Sequence, residues 1–424
     1  MDAAAALSAE YPADKQIGSR AASLYRSFAY FQPEDTDQAV AIENRLLSAN
    51  PGDLDTLARI GDIYADRGRM SDADPYWIRM AQVRPGDSNG YLQSATVFWD
   101  YFDFAHARQE LQAARQQLEE PTLFGYQMGA IDESEGDTAA AIREYLASAI
   151  AMPPSSESEE RLLTLAGRPP TQPLVESETA GLLDGSAPTP AAISLCAAIL
   201  NVEHRRDALK KELTALVART SSFDVLETVR SSAQNDLLPE VQEAALQRQI
   251  AITTDPVRSL QLRYQLVDLY TSQNQTAAAA AEIDAIDRQY PRILGVVRAT
   301  VDYDWNHDRK PQAIAVLLNA AQVAYPKLKD EFQLEAATKL TESGQYAQSK
   351  TLLTSLLAAE PLDPQVEAAM AGNYAASGDQ AALMAFYKSE LSAVQRSTLD
   401  PADKLQRISE MRRGMIAAAT VLGD

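Results

Sequence analysis

Four columns of residues recur every 34 positions in the first third of this chain. Ala39, Ala73, Ala107 and Ala141 form one; Trp77, Leu111 and Tyr145 a second; Tyr30, Tyr64 and Phe98 a third. In the fourth, Pro51 and Pro85 are followed by Pro153, with Glu119 between them and Pro121 nearby. A unit of this length cannot bury its own hydrophobic face, so a chain built this way has to stack its units. The segment 54–87 shows one unit in full. Leu57, Ile60 and Tyr64 fall at helical spacing, Gly68 interrupts, Ala73, Trp77 and Met80 make a second helical face, and Pro85 closes it. The columns have physical roles. The alanine lets two antiparallel helices approach, the large residue one turn on fills the gap against the first helix, and the proline cannot continue the helix.

The pattern returns late in the chain. Tyr270, Ala279, Ile283 and Pro291 repeat the spacing, and Ala313, Leu317 and Ala320 follow 34 residues after Ala279, Ile283 and Ile286. "ESGQYAQSKTLLTSLLAAEP", ending at Pro361, and then Tyr374, Gly378 and Tyr387 continue it. On these residues, and best over 57–85, the chain resembles the tetratricopeptide repeat (TPR) family. That resemblance implies an all-α solenoid of antiparallel helix pairs in a right-handed superhelix. Two units depart from the pattern: Asp132 replaces the aromatic in the fourth and Glu43 the large residue in the first.

The expected organisation is an N-terminal segment or helix over 1–19, an array of about four repeats over 20–155 and a linker over 156–190. Degenerate helical hairpins over 191–259, a second array of about four repeats over 260–395 and a capping helix over 396–424 follow. The linker is placed by seven prolines in "MPPSSESEE", "GRPPTQP" and "SAPTPAA".

Composition narrows the partners. The formal net charge is −21, from 59 acidic and 38 basic residues. This disfavours the phosphate backbone of nucleic acids and anionic membranes, and favours a neutral to basic protein or peptide. No apolar run is long enough to insert in a membrane. The start, "MDAAAALSAEYPADK", has no basic region before its short apolar run, so the compartment is read as the cytosol, or the periplasm after removal of a signal. The apolar end, "AAATVLGD", fits a part excised from a longer protein. Oligomeric state is not legible.

The motifs give no catalytic, cofactor or metal site. His106, His204 and His307 are scattered and read as surface residues of turns and helix starts; Cys196, the only cysteine, reads as a small buried apolar residue. "NQT" at Asn274 fits a glycosylation sequon, but reads as a helix stop. The stretch "DYDWNHDRKP" places Asp302, Asp304, Asn306 and Asp308 in alternation like a calcium loop. The glycine and glutamate such a loop needs at its sixth and twelfth positions are replaced by His307 and Ala313.

The TPR resemblance implies a concave groove lined by the first helix of each pair. Its register gives Phe28, Phe31, Asp62, Asp66, Trp99, Asp100, Tyr126 and Glu133 in the first array. The second array gives Tyr264, Asp268, Arg298, Asp302, Trp305, Glu331 and Glu342. The set is aromatic and acidic, suited to Lys- or Arg-containing segments. It lacks the Lys, Asn and Arg clamp with which chaperone-docking relatives hold a peptide carboxylate. The alternative is that Trp99 and Trp305 pack against a neighbouring unit. The implied function is a non-catalytic scaffold or adaptor. Two others fit: a spacer in a bacterial envelope, secretion or exopolysaccharide-export assembly, and the regulatory part of a larger enzyme.

Overall fold

A short turn with one left-handed residue sets the period. Gly68, Phe102 and Gly136, spaced by 34, have φ of 70°, 62° and 88°, and Asn274 and Asp308 have 56° and 58°. Each reverses the chain between the two helices of a pair. The structure, a computed structural model, describes residues 2–151, 156–185 and 187–422; Pro153 lies outside them. Among the described residues there are 24 helices and no strand.

The chain divides into two compact units, Met1–Ala245 and Leu246–Asp424. In unit 1, α1 (Asp2–Glu10) precedes four pairs: α2 (Lys15–Phe28) with α3 (Asp35–Ala49), α4 (Leu54–Ala65) with α5 (Met70–Val83), α6 (Ser88–Asp100) with α7 (Phe104–Leu118), and α8 (Gly125–Ser134) with α9 (Thr138–Ala151). Then come α10 (Glu157–Ala166), α11 (Gln172–Thr179), α12 (Pro190–Val202), α13 (Arg206–Arg219) and α14 (Phe223–Asn235). The division falls within α15 (Pro239–Ile252). Unit 2 pairs α16 (Pro256–Ser272) with α17 (Thr276–Gln289), α18 (Leu294–Asn306) with α19 (Lys310–Val323), α20 (Pro326–Glu342) with α21 (Tyr346–Ala359), and α22 (Pro364–Ala376) with α23 (Gln380–Arg396). The last helix, α24 (Pro401–Leu422), lies along α23 and buries Met411 and Ala418.

Ala39, Ala73, Ala107 and Ala141 are buried to 1% exposure or less, as are Trp77, Leu111 and Tyr145. Their counterpart on the first helix is a column that the sequence reading missed: Gly61, Ala95 and Gly129, each 16 residues before its large partner. A Cβ on Gly61 would stand 2.0 Å from Nε1 of Trp77, and one on Gly129 2.4 Å from Cε1 of Tyr145. Helix and indole touch with no room for a methyl group, and the indole N–H donates to the Ala58 carbonyl at 3.3 Å. The column prolines stand just past helix ends: α3 before Pro51, α5 before Pro85, α17 before Pro291 and α21 before Pro361. At Glu119 a left-handed C-cap (φ 57°) ends α7 instead.

Two expectations need correction. Tyr30 is not a column residue. The connection after α2 runs over 29–34, longer than the four residues after α4, so α2 ends first and Tyr30 is 78% exposed in the turn. Tyr25 is the aromatic that α2 buries. The segment 156–190 is not an irregular linker either, because α10 and α11 lie within it and bury Leu162, Leu165 and Val175 against α9. Ser156 caps α10 by accepting from the Glu159 N–H at 3.3 Å, Pro173 sits in the first turn of α11, and Pro190 opens α12. These are helix-start roles for Ser and Pro.

Gly61→Ala should cost about 1–3 kcal/mol by overpacking against Trp77. Gly372→Ala, in α22 with nothing within 4 Å of the added Cβ, should be neutral or slightly stabilising. Thermal melts of both variants followed by circular dichroism would separate the two outcomes.

Candidate functional site

In unit 1 the first helices α6 and α8 hold a cavity of about 280 Å³ between them, lined mainly by apolar side chains. Leu92, Thr96 and Trp99 come from α6, and Tyr126, Ala130 and Ile131 from α8. Two of the expected groove residues, Trp99 and Tyr126, therefore share one pocket. Trp99 is half-buried, its ring edge-on to Phe104 at 5.0 Å. Phe104 in turn meets Phe102 edge-on at 6.2 Å. Phe102 is 80% exposed and occupies the left-handed turn position that Gly68 and Gly136 hold in the adjacent repeats. A non-glycine side chain there costs roughly 1 kcal/mol or more, and packing at 80% exposure does not offset it. The sequence reading passed over Phe102, although a 34-residue step from Gly68 leads to it.

The groove acids of unit 1 are mostly engaged. Arg26 on α2 reaches Asp62 on α4 at 3.5 Å and Asp66, which caps the end of α4, at 2.6 Å. Burial raises the Asp62 carboxyl pKa against the pull of Arg26. Tyr101, stacked on Trp77 at 5.0 Å, lies against the same group, and burial with Asp62 and Asp66 pushes its hydroxyl up to about 12. Glu133 is held by Arg161 of α10 at 2.7 and 2.8 Å and by the Tyr145 hydroxyl at 2.8 Å, so it is a structural ion pair rather than a free groove acid. The Arg161 hydrogen bonds hold its carboxyl below the usual range. Asp100 is exposed, and no ion pair holds it among the described residues. Phe28 (46% exposed) ends α2 and Phe31 (77%) lies in the turn beyond, edge-on to Tyr30 at 5.3 Å. Phe31 is thus off the helix face on which the register placed it. His106 is not a bare turn residue: it stacks on Phe98 at 5.0 Å and pairs with Asp103 at 2.7 Å.

Unit 2 presents a different surface. Trp305 does not offer an open ring face, since the ammonium groups of Lys339 and Lys310 lie 4.2 and 5.2 Å from its centroid. Cation–π attraction holds both amines there. Arg298 faces Glu331 at 3.9 Å, and Lys339 also pairs with Glu342 at 3.1 Å. The Tyr264 hydroxyl is buried without a hydrogen-bond partner among the described residues, and burial with Asp287 raises its pKa. It therefore faces the second helix, α17, rather than the groove. Asp268 and Asp302 are exposed.

The calcium-like alternation is divided by the helix that carries it. Asp302 is exposed on α18, Asp304 two residues on is fully buried, and Asp308 lies in the left-handed turn. Two residues turn a helix by about 200°, so the two helical aspartates face opposite ways. Among the described residues, no group of three or more His, Cys, Asp or Glu could hold a metal ion, and no helix is long and apolar enough to cross a membrane.

No protein-family model matches the chain, and none of the curated proteins does. Among solved structures it is similar to the P58(IPK) TPR domain, with 12% identity over 86% of this chain and 99% of that one, at a TM-score of 0.20. Yeast Tom70 is similar at 12% identity over 97% and 96%, TM-score 0.26, and the APC/C hetero-tetramer Cut9–Hcn1 at 14% over 94% and 84%, TM-score 0.25. The superpositions are loose, and the class follows from the chain's own packing. It is an all-α helical-repeat protein whose helix pairs are tetratricopeptide-like.

Asp304 gives a pH prediction. Burial pushes its carboxyl up to about 6, with Arg309 opposing and Asp284 and Asp287 adding to the rise; His307 also opposes. Arg309 lies 3.3 Å away, yet neither carboxylate oxygen is hydrogen-bonded. The folded state favours the neutral acid, so this group's stabilisation is complete below pH 4 and is lost as pH rises through about 6. Asp304→Asn should stabilise the fold at pH 7.5 by on the order of 2 kcal/mol, seen as a higher melting temperature, and remove that part of the pH dependence. A variant less stable at every pH would show that the Arg309 ion pair dominates instead.

Proposed function

We propose that the chain is a non-catalytic protein-binding scaffold that holds a segment of a partner protein along the first-helix face of unit 1. A bulky apolar side chain of the partner enters the Trp99–Tyr126 pocket. The observation that carries this reading is the pocket itself: preformed, apolar, and built from two first helices. Phe102 supports it. A strained turn residue with its ring in solvent suits contact with something outside the chain. The exposed Asp100, next to Trp99, and the net charge of −21 favour a neutral to basic segment. Unit 2, with lysines over Trp305 and with Glu331 and Glu342 paired to Arg298 and Lys339, serves as the stiff remainder of the scaffold in this reading.

Phe102→Gly and Trp99→Ala separate binding from folding. Phe102→Gly should stabilise the protein by about 1 kcal/mol, since glycine accepts the left-handed turn, while weakening partner capture. Trp99→Ala should weaken capture with the helical circular dichroism unchanged. The check is affinity capture with wild type and both variants in parallel, with melts of each. Equal capture by all three would overturn the pocket as the binding site.

A further inference from the structure

Unit 1 holds a second cavity, of about 270 Å³, apart from the groove, open to solvent on one side and lined by α11, α12, α13 and the 180–184 loop. Leu183, Ile199 and Leu200 supply apolar wall. Its charged lining is Glu176, Asp184, Glu203 and Glu212 against a single guanidinium, Arg205. The decisive residue is Glu203. Its side chain is 1% exposed, and Oε2 has only a long 3.4 Å hydrogen bond from Arg205, which is shared with Glu176 at 3.0 Å. Oε1 is buried with no partner among the described residues. Cys196, expected to be buried apolar filling, is half-buried and lines the same space. Burial, followed by Glu212 and Glu203, pushes its thiol up to about 11, so the three groups converge there. The loop wall is fixed, because Arg219 donates to the carbonyls of Leu183 and Gly185.

A buried carboxylate oxygen without a donor is costly, and four carboxylates facing one guanidinium leave excess negative charge in the cavity. A ligand that brings a positive N–H donor relieves both. The apolar wall selects a cation with a hydrocarbon body, rather than a metal ion that needs converging oxygens. We propose that this cavity binds a primary alkylammonium group, with the –NH₃⁺ donating to Glu203 Oε1 and the methylene chain lying against Ile199 and Leu183. The ammonium comes from a free aliphatic amine or from the lysine side chain of a protein.

Calorimetric titration and thermal shift of the full chain with 1,4-diaminobutane, n-butylamine and the peptide acetyl-Gly-Lys-Gly-amide test this, with 1-butanol and acetyl-Gly-norleucine-Gly-amide as uncharged controls. The expected result is saturable binding of the amines and not of the controls, weakened about tenfold or more in Glu203→Gln and in Glu212→Gln. Unliganded Glu203→Gln should melt no lower than wild type, because the change removes a buried charge whose Oε1 has no donor and whose Oε2 has only a long one. Tighter binding of the diamine identifies a free amine as the ligand, and tighter binding of the peptide a protein lysine; both support the site. Absence of amine binding at millimolar concentration, or equal binding to wild type and Glu203→Gln, overturns it. The groove variants Trp99→Ala and Phe102→Gly should leave amine binding intact.

Discussion

In two helix pairs of unit 1, the contact between a residue with no side chain and the large aromatic of the repeat sets how closely the helices pack. Gly61 against Trp77 and Gly129 against Tyr145 bring a first-helix backbone onto the face of an aromatic ring. The close approach has two consequences. It fixes the two helices of a pair at one separation, so each pair is a rigid block. It also spends the inward face of both helices on each other, so the faces left to build a groove belong to the first helices. The Trp99–Tyr126 pocket arises where two such faces, on α6 and α8, stand side by side.

Much of this was legible because packing within a repeat is local. The large column, the alanine column and the closing prolines are all set by neighbours less than one repeat away, so a 34-residue step finds them. Gly61, Ala95 and Gly129 were equally within reach of that step. Errors came where one physical role was mistaken for another. The prolines and serines of 156–190 read as a linker, yet Ser156, Pro173 and Pro190 sit where a helix start accepts or favours them. Tyr30 missed its column because a longer connection after α2 shifts the register, and period counting cannot detect that where the repeat itself changes length.

The candidate site was legible only in part, for a reason of reach. Register indicates which residues lie on the first-helix face, and two of those it gives, Trp99 and Tyr126, line one pocket. It does not show which long side chain arrives from a neighbouring helix. Arg26 reaches Asp62 and Asp66 from α2, Arg161 reaches Glu133 from α10, and Lys339 reaches Trp305 from α20. A row of acids that appears open in one dimension is therefore largely paired in three. What remains exposed in unit 1 is aromatic, Phe102 above all, with Asp100 beside Trp99.

The same substitution appears once in each unit, and its surroundings decide its effect. Asp132 stands one period after Phe98, and Asp304 one period after Tyr270, each a carboxylate in place of a column aromatic. Both are buried, at 5% and 0% exposure. A buried acid is tolerated when a cation and donors meet it, and destabilises when they do not. Asp132 receives Arg108 at 2.7 Å from the preceding second helix. Asp304 has only Arg309, which is drawn away by Asp284 at 2.6 Å and leaves both Asp304 oxygens without hydrogen bonds. One acid is thus built into the stack as a satisfied polar contact. The other sits as a charge that the surrounding helices resist, and this is why its carboxyl, with Asp284 and Asp287 nearby, is displaced so far from its ordinary range.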